Sequence, residues 1–120
     1  MKENFRTRLK QKELLLGTLL TLPSPELAEV LSLTGLDWLF VDLEHSALEI
    51  STAQAVLQAV AGRLDCLIRV PSNDEVWIKK ALDTGATGVI VPQVNSAAEA
   101  RQAVRWSRYP PQGARSEVGS

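Results

Sequence analysis

Three ionisable side chains, Asp42, Glu44 and His45, follow directly on the apolar run Trp38, Leu39, Phe40, Val41. A continuous apolar run of this kind fits a strand buried on both faces of a parallel sheet, and the C-terminal ends of such strands are where α/β sheets and barrels build their sites. If the strand runs through the cluster, alternation puts Asp42 and Glu44 on one face, with His45 where the chain leaves the sheet. His45 is the only histidine, and histidine is the side chain best suited to proton transfer near neutral pH; in a loop it can equally be an exposed residue without chemistry. Asp42 and Glu44 offer oxygen ligands to a hard divalent cation, directly or through bound water. They would serve as well to cap the next helix or to pair with lysines, and two carboxylates fall short of a full ligand set.

Arg69 is a second candidate because it stands inside the apolar run Cys66 to Val70, where a permanently charged fork is costly to bury alone. Either a carboxylate pairs with it or it faces an anionic ligand. On the inner face of a barrel, near the C-terminal rim, a guanidinium can hold a carboxylate or polarise a carbonyl through paired N–H groups. Asp83 closes a helix, so in a strand-helix unit it lies at the pole opposite the strand ends, where a carboxylate opposes the helix dipole. It is either a turn residue or a group that a neighbouring subunit would bring to another copy's rim.

The elements that must position these residues repeat. Asn4 to Gln11 reads as a short polar helix with Phe5 and Leu9 on one side, a lid for the end of a sheet or barrel. Leu14 to Leu22 reads as a first strand with a close backbone approach at Gly17. Ser24 caps and Pro25 opens a helix that Gly35 ends. After the opening cluster, Ser51 and Gln54 have capping-box spacing, and Ala53, Val56, Leu57 and Val60 mark the buried face of a helix that stops near Gly62. Cys66 to Val70 is a third strand closed by Pro71. Asn73 then caps a helix whose inward face is Ile78, Ala81 and Leu82. Thr87 to Val94 is a fourth strand, and Ser96 caps a helix carrying Ala100, Ala103, Val104 and Trp106. The remainder, rich in Pro, Gly and Ser, is loop. Four strand-helix units at roughly 20 to 25 residues each give a parallel α/β fold. They amount to half of a (β/α)8 barrel, whose usual length is about 250 residues; an open four-stranded sheet is the alternative and would have to cover both its edges.

Composition excludes several classes. The 120 residues carry 13 basic and 14 acidic side chains, a formal net charge of −1, and are 45% hydrophobic, so neither a nucleic acid nor an anionic membrane is an expected partner. The aromatic residues Trp77, Trp106 and Tyr109 have no interleaved basic stripe. Cys66 is the only cysteine; a disulfide framework and a cysteine metal site are excluded, and a buried thiol in a reducing cytoplasm is expected. The N-terminus lacks an apolar signal core and no run approaches the ~20 residues needed to span a bilayer, which leads us to expect a soluble cytoplasmic protein. There is no Walker or G-x-G-x-x-G pattern and no serine in a nucleophile elbow.

Four ordered stretches, DWLFVDLEHSALEI, IRVPSND, IKKALDTGATGVIVPQVNSAAEA and RYPPQGAR, resemble the N-terminal half of the HpcH/HpaI family of metal-dependent pyruvate aldolases, over about Phe5 to Arg115. The resemblance implies a (β/α)8 barrel, represented in residues 1–120 by four strand-helix units without strands five to eight. It implies reversible cleavage of 4-hydroxy-2-oxo acids to pyruvate and an aldehyde, in a homo-oligomer that is hexameric or trimeric. By motif position, His45 matches the acid-base histidine, Arg69 the arginine that contacts the pyruvate carbonyl and stabilises its enolate, and Asp83 the aspartate that supports the histidine. Gln93 falls near the pocket, and Asp42 and Glu44 match carboxylates near the water shell of a divalent metal, Mg2+, Mn2+ or Co2+. The direct metal ligands of the family, a Glu and an Asp on strands five and six, and the groups that bind the pyruvate carboxylate have no counterpart up to Ser120. Leu19 stands where many members have an aromatic residue, which bears on the aldehyde pocket. Two further readings stay open on the sequence: an inactive barrel half that only associates with another half or with itself, and an acyl-CoA lyase of the citrate lyase β type.

Overall fold

The structure, a computed structural model, describes residues 3–115. Helix α1 (Phe5–Lys10) precedes four repeats in which β1 (Gly17–Leu20), β2 (Trp38–Asp42), β3 (Asp65–Arg69) and β4 (Gly88–Ile90) alternate with α2 (Pro25–Ser32), α3 (Ile50–Val60), α4 (Glu75–Asp83) and α5 (Ala97–Ser107). The strands form one parallel sheet in sequence order, β1-β2-β3-β4. Right-handed crossovers between parallel strands laid down in sequence order keep every helix on one face, the arrangement of a (β/α)8 barrel that has reached its fourth strand.

Burial alternates accordingly. Leu20, Leu39, Val41, Cys66 and Ile68 are buried together with Ala28 of α2, Ala53, Val56 and Val60 of α3, and Ile78 and Ala81 of α4. These small and β-branched helix residues let the helices lie close on the sheet, and the burial of their apolar surface is the main stabilising term. On the other face stand Trp38, Phe40 and Asp42 of β2 and Leu67 and Arg69 of β3, each only half-buried except Asp42. Phe5 of α1 meets Trp38 with ring centroids 6.4 Å apart, Trp38 stacks on Phe40 at 6.2 Å, and the Arg69 guanidinium lies 4.8 Å over the Phe40 ring. An aromatic column therefore runs from the N-terminal pole to the C-terminal rim of the inner face. Gly17 is required beside it, because a Cβ there would come within 2.4 Å of the Trp38 indole.

Several local expectations are met and others corrected. Ser24 and Ser96 cap their helices through side-chain oxygens, as read from the sequence, and Asn4 does the same for α1. The cap of α4 is Asp74, whose carboxylate accepts from the Val76 and Trp77 amides, and Asn73 instead donates to the Glu99 carbonyl. Helix α3 starts at Ile50 after Glu49, which makes no side-chain cap, so Ser51 and Gln54 form no capping box. The first and fourth strands are much shorter than their apolar runs: Leu14 is 81% exposed and outside β1, and β4 keeps three residues. Apolar character marks the segment, but only residues with a laddered neighbour become strand. No helix among the described residues is long and apolar enough to cross a membrane.

Candidate active site

Asp42 and Arg69 are the last residues of β2 and β3 and stand in register as neighbours. Alternation turns both side chains to the inner face. There the Arg69 Nε donates to Asp42 Oδ1 at 3.0 Å and Nη2 to Oδ2 at 2.8 Å, a bidentate pair. The Asp42 side chain is 1% exposed. The Arg69 guanidinium holds the Asp42 carboxyl down at about 2, against the opposing effect of burial, and the backbone N–H groups of His45 and Glu44 add to the lowering. Asp42 in turn raises the Arg69 guanidinium above its usual value. The partner that Arg69 requires is thus a carboxylate of the adjacent strand.

The strand ends at Asp42, and the chain then turns on its carboxylate. Asp42 Oδ1 accepts from the Glu44 amide at 2.9 Å and the His45 amide at 3.1 Å. The Ser46 hydroxyl donates to the Asp42 carbonyl and accepts from the Leu48 amide, while the Leu43 amide donates to the Arg69 carbonyl. This turn carries Glu44 back toward the inner face: its Oε1 lies 3.4 Å from Arg69 Nε and 3.0 Å from His45 Nε2. The His45 side chain is 69% exposed, against 11% for Glu44. A fixed cation, a carboxylate and an accessible imidazole are therefore gathered at one strand-end rim. Neither Phe40, which lies under the guanidinium, nor Ser46, which pins the turn, stands out in the sequence; the spacing of Phe40 and Asp42 on one face is the available signal.

The remaining candidates lie elsewhere. Asp83 closes α4; its Oδ1 accepts from Arg115 Nη2 and its Oδ2 from Lys79 Nζ, each at 2.9 Å, and the arginine first, then the lysine, hold its carboxyl below the usual range. The structure does not join it to His45 within the chain. Gln93 follows β4 and Pro92, is exposed, and has a φ of 55°, a left-handed conformation that costs a non-glycine residue energy. Its carbonyl accepts from Asn95. Cys66 is buried and free. A cavity of about 280 Å³ lined by Leu57, Gly62, Leu64, Asp65, Cys66 and Gly85 lies at the start of β3, the pole away from the cluster.

Among the described residues no three His, Cys, Asp or Glu side chains are placed to hold a metal ion. Asp42 has both oxygens engaged, which leaves Glu44 as the one carboxylate of the rim with an oxygen to offer. These residues do not by themselves make a divalent-cation site.

A family model, HpcH/HpaI aldolase/citrate lyase, matches residues 16–120. The chain belongs to this family. Among its HpcH/HpaI relatives, a 2-dehydro-3,6-dideoxy-6-sulfogluconate aldolase of Pseudomonas putida is 44% identical over 108 residues, covering 89% of this chain and 42% of that protein. A 4-hydroxy-2-oxovalerate aldolase of Novosphingobium aromaticivorans is 39% identical over 119 residues, covering 98% and 45%. Among solved structures, an HpcH/HpaI aldolase/citrate lyase family protein from Burkholderia cenocepacia superposes with a TM-score of 0.89 at 34% identity, over 95% of this chain and 48% of that one. The citrate synthase SbnG does so with 0.87 at 33%, over 94% and 46%. The chain thus spans a little under half the length of the HpcH/HpaI proteins it matches.

Proposed function

We propose that the Asp42, Glu44, His45 and Arg69 rim is one side of an aldolase site that cleaves a 4-hydroxy-2-oxo acid to pyruvate and an aldehyde. The observation that supports this most is the state of Arg69. Its Nε and Nη2 are committed to Asp42, while its Nη1 end makes no hydrogen bond among the described residues and the side chain remains 23% exposed at the rim. A fixed guanidinium with one free end is suited to a developing oxyanion, because its charge is in place before the reaction begins. The names of the relatives support the class of reaction, since they are those of aldolases.

On this reading the proton of the substrate's 4-hydroxyl passes to His45, the C3–C4 bond breaks, and its electron pair moves toward C2, leaving negative charge on the former keto oxygen. Arg69 receives that charge at its free end. Protonation at C3 gives pyruvate, and the C4 fragment leaves as the aldehyde. A divalent cation, Mg2+, Mn2+ or Co2+, when bound would add Lewis-acid stabilisation of the same oxygen; Glu44 is the described residue with a carboxylate to turn toward its water shell. Gln93, at the end of the adjoining strand, is proposed to contact the substrate. Asp83 is proposed to reach a His45 only across subunits of a homo-oligomer.

The test is pyruvate release from a 4-hydroxy-2-oxo acid, with and without Mg2+, Mn2+ or Co2+. Release that disappears in Arg69→Ala and falls in His45→Ala supports the reading; release that persists in Arg69→Ala refutes it.

A further inference from the structure

Asp42 has a part in this site that its residue type does not announce. It is a carboxylate at a candidate cation-dependent rim, yet it faces no solvent, with a side chain 1% exposed. Four donors converge on its two oxygens: Nε and Nη2 of Arg69 from the neighbouring strand, and the amides of Glu44 and His45 from the turn that follows. Three of the four meet on Oδ1 and the fourth, from Arg69 Nη2, is on Oδ2, so both carboxylate oxygens are engaged. Its own carbonyl takes a fifth bond, from the Ser46 hydroxyl.

We infer that Asp42 is the positioning residue of the rim: one buried carboxylate fixes the Arg69 fork and the Glu44–His45 backbone together, so that the guanidinium and the imidazole are held in register without substrate or cation. Asp42 acts through these neighbours, to which it is hydrogen-bonded, and itself touches neither substrate nor cation. The inference rests on the aldolase reading only for its consequence in catalysis; the coupling itself is a property of the folded chain. It separates the two carboxylates that the D-x-E-H spacing makes look equivalent. Asp42 organises, and Glu44, whose Oε1 sits between Arg69 and His45 without a backbone bond, is the one left to respond to a ligand.

The test is hydrogen exchange read by NMR on the whole chain. In the wild type the Arg69 Nε–H and the amides of Glu44 and His45 exchange slowly, each donated to a buried carboxylate, and all three remain slow when saturating Mg2+ is added. In Asp42→Asn, which keeps the shape but loses the charge and one acceptor, all three speed up together, by roughly ten- to a hundredfold for loss of bonds to a charged acceptor. The amides of Leu39 and Ile68 keep their protection and report that the sheet is intact. Free-rate exchange of any of the three in the wild type, acceleration of Arg69 without the turn or of the turn without Arg69, or release of Arg69 by Mg2+ each overturns the inference. The wild-type and Mg2+ measurements decide even if the variant does not fold. None of these readouts uses a substrate, so failure here is separate from failure of the aldolase reading.

Discussion

Replacing Asp42 by Asn should destabilise the chain in a way that depends on pH, and the size follows from the geometry. The carboxyl is held at about 2 in place of 3.8, chiefly by Arg69. At about 1.4 kcal/mol for each pH unit of difference, that gap corresponds to roughly 2 kcal/mol. Removing one member of a fully buried ion pair costs about 3–5 kcal/mol, because the other charge is stranded. Arg69, 23% exposed, can turn partly to water, so the expected cost lies at the low end, about 2–3 kcal/mol. The sign is fixed by the lowered carboxyl: its stabilisation is complete above the unfolded value near pH 4 and is lost as pH falls through about 2. Urea unfolding followed by the fluorescence of Trp38, Trp77 and Trp106 measures both chains across that range. The difference between them should be full at neutral pH and should shrink between about pH 4 and pH 2. Asp83, whose carboxyl is also lowered, titrates in both chains and cancels. A difference below about 0.5 kcal/mol at neutral pH, or one that does not change with acid, refutes the reasoning.

Asp74→Ala should cost about 1 kcal/mol by removing the cap of α4, with faster amide exchange at Val76 and Trp77, whereas Asn73→Ala should leave those two amides protected. Gly17→Ala, which drives a methyl into the Trp38 indole, should cost about 1–3 kcal/mol and shift the tryptophan emission; a neutral result would show that the aromatic column yields. Burial, with Asp65 adding to it, pushes the Cys66 thiol up to about 11, so a thiol reagent at neutral pH should label the folded chain far more slowly than the chain in urea. Equal rates would contradict the core packing around β3.

The sequence is most legible where local chemistry and tertiary packing ask for the same residues. Ser24 followed by Pro25 can only open a helix cheaply, and Ala53, Val56 and Val60 are both the periodic face of α3 and its buried face. The order of strands and helices, and the half-barrel they build, follow from that repetition. Ends are harder. Asn73 and Asp74 are both good caps, and the choice between them is made by α5, whose Glu99 carbonyl takes the Asn73 amide. In the site, the residue types of Asp42, His45 and Arg69 and their places at the ends of apolar runs are enough to point to a strand-end rim, and the need of Arg69 for a carboxylate or an anion is plain from its setting. Which carboxylate meets it cannot be read from sequence, because that depends on the register of β2 against β3, a long-range property that leaves no trace in the spacing of either strand. For Asp83 only half of this holds: Lys79 stands four residues earlier on its own helix, a spacing the sequence shows, whereas Arg115 reaches it from the segment after α5.

The most direct measurement of the central claim is a titration of the chain with pyruvate, followed by NMR at the Arg69 Nε–H and the ring of His45, the chain's only histidine, with Arg69→Ala as the comparison. The account predicts that both signals move together and saturably, and that the variant, still folded, loses the response at His45. Pyruvate that moves neither signal, or that perturbs His45 equally in Arg69→Ala, would contradict the assignment of this rim to a 2-oxo acid.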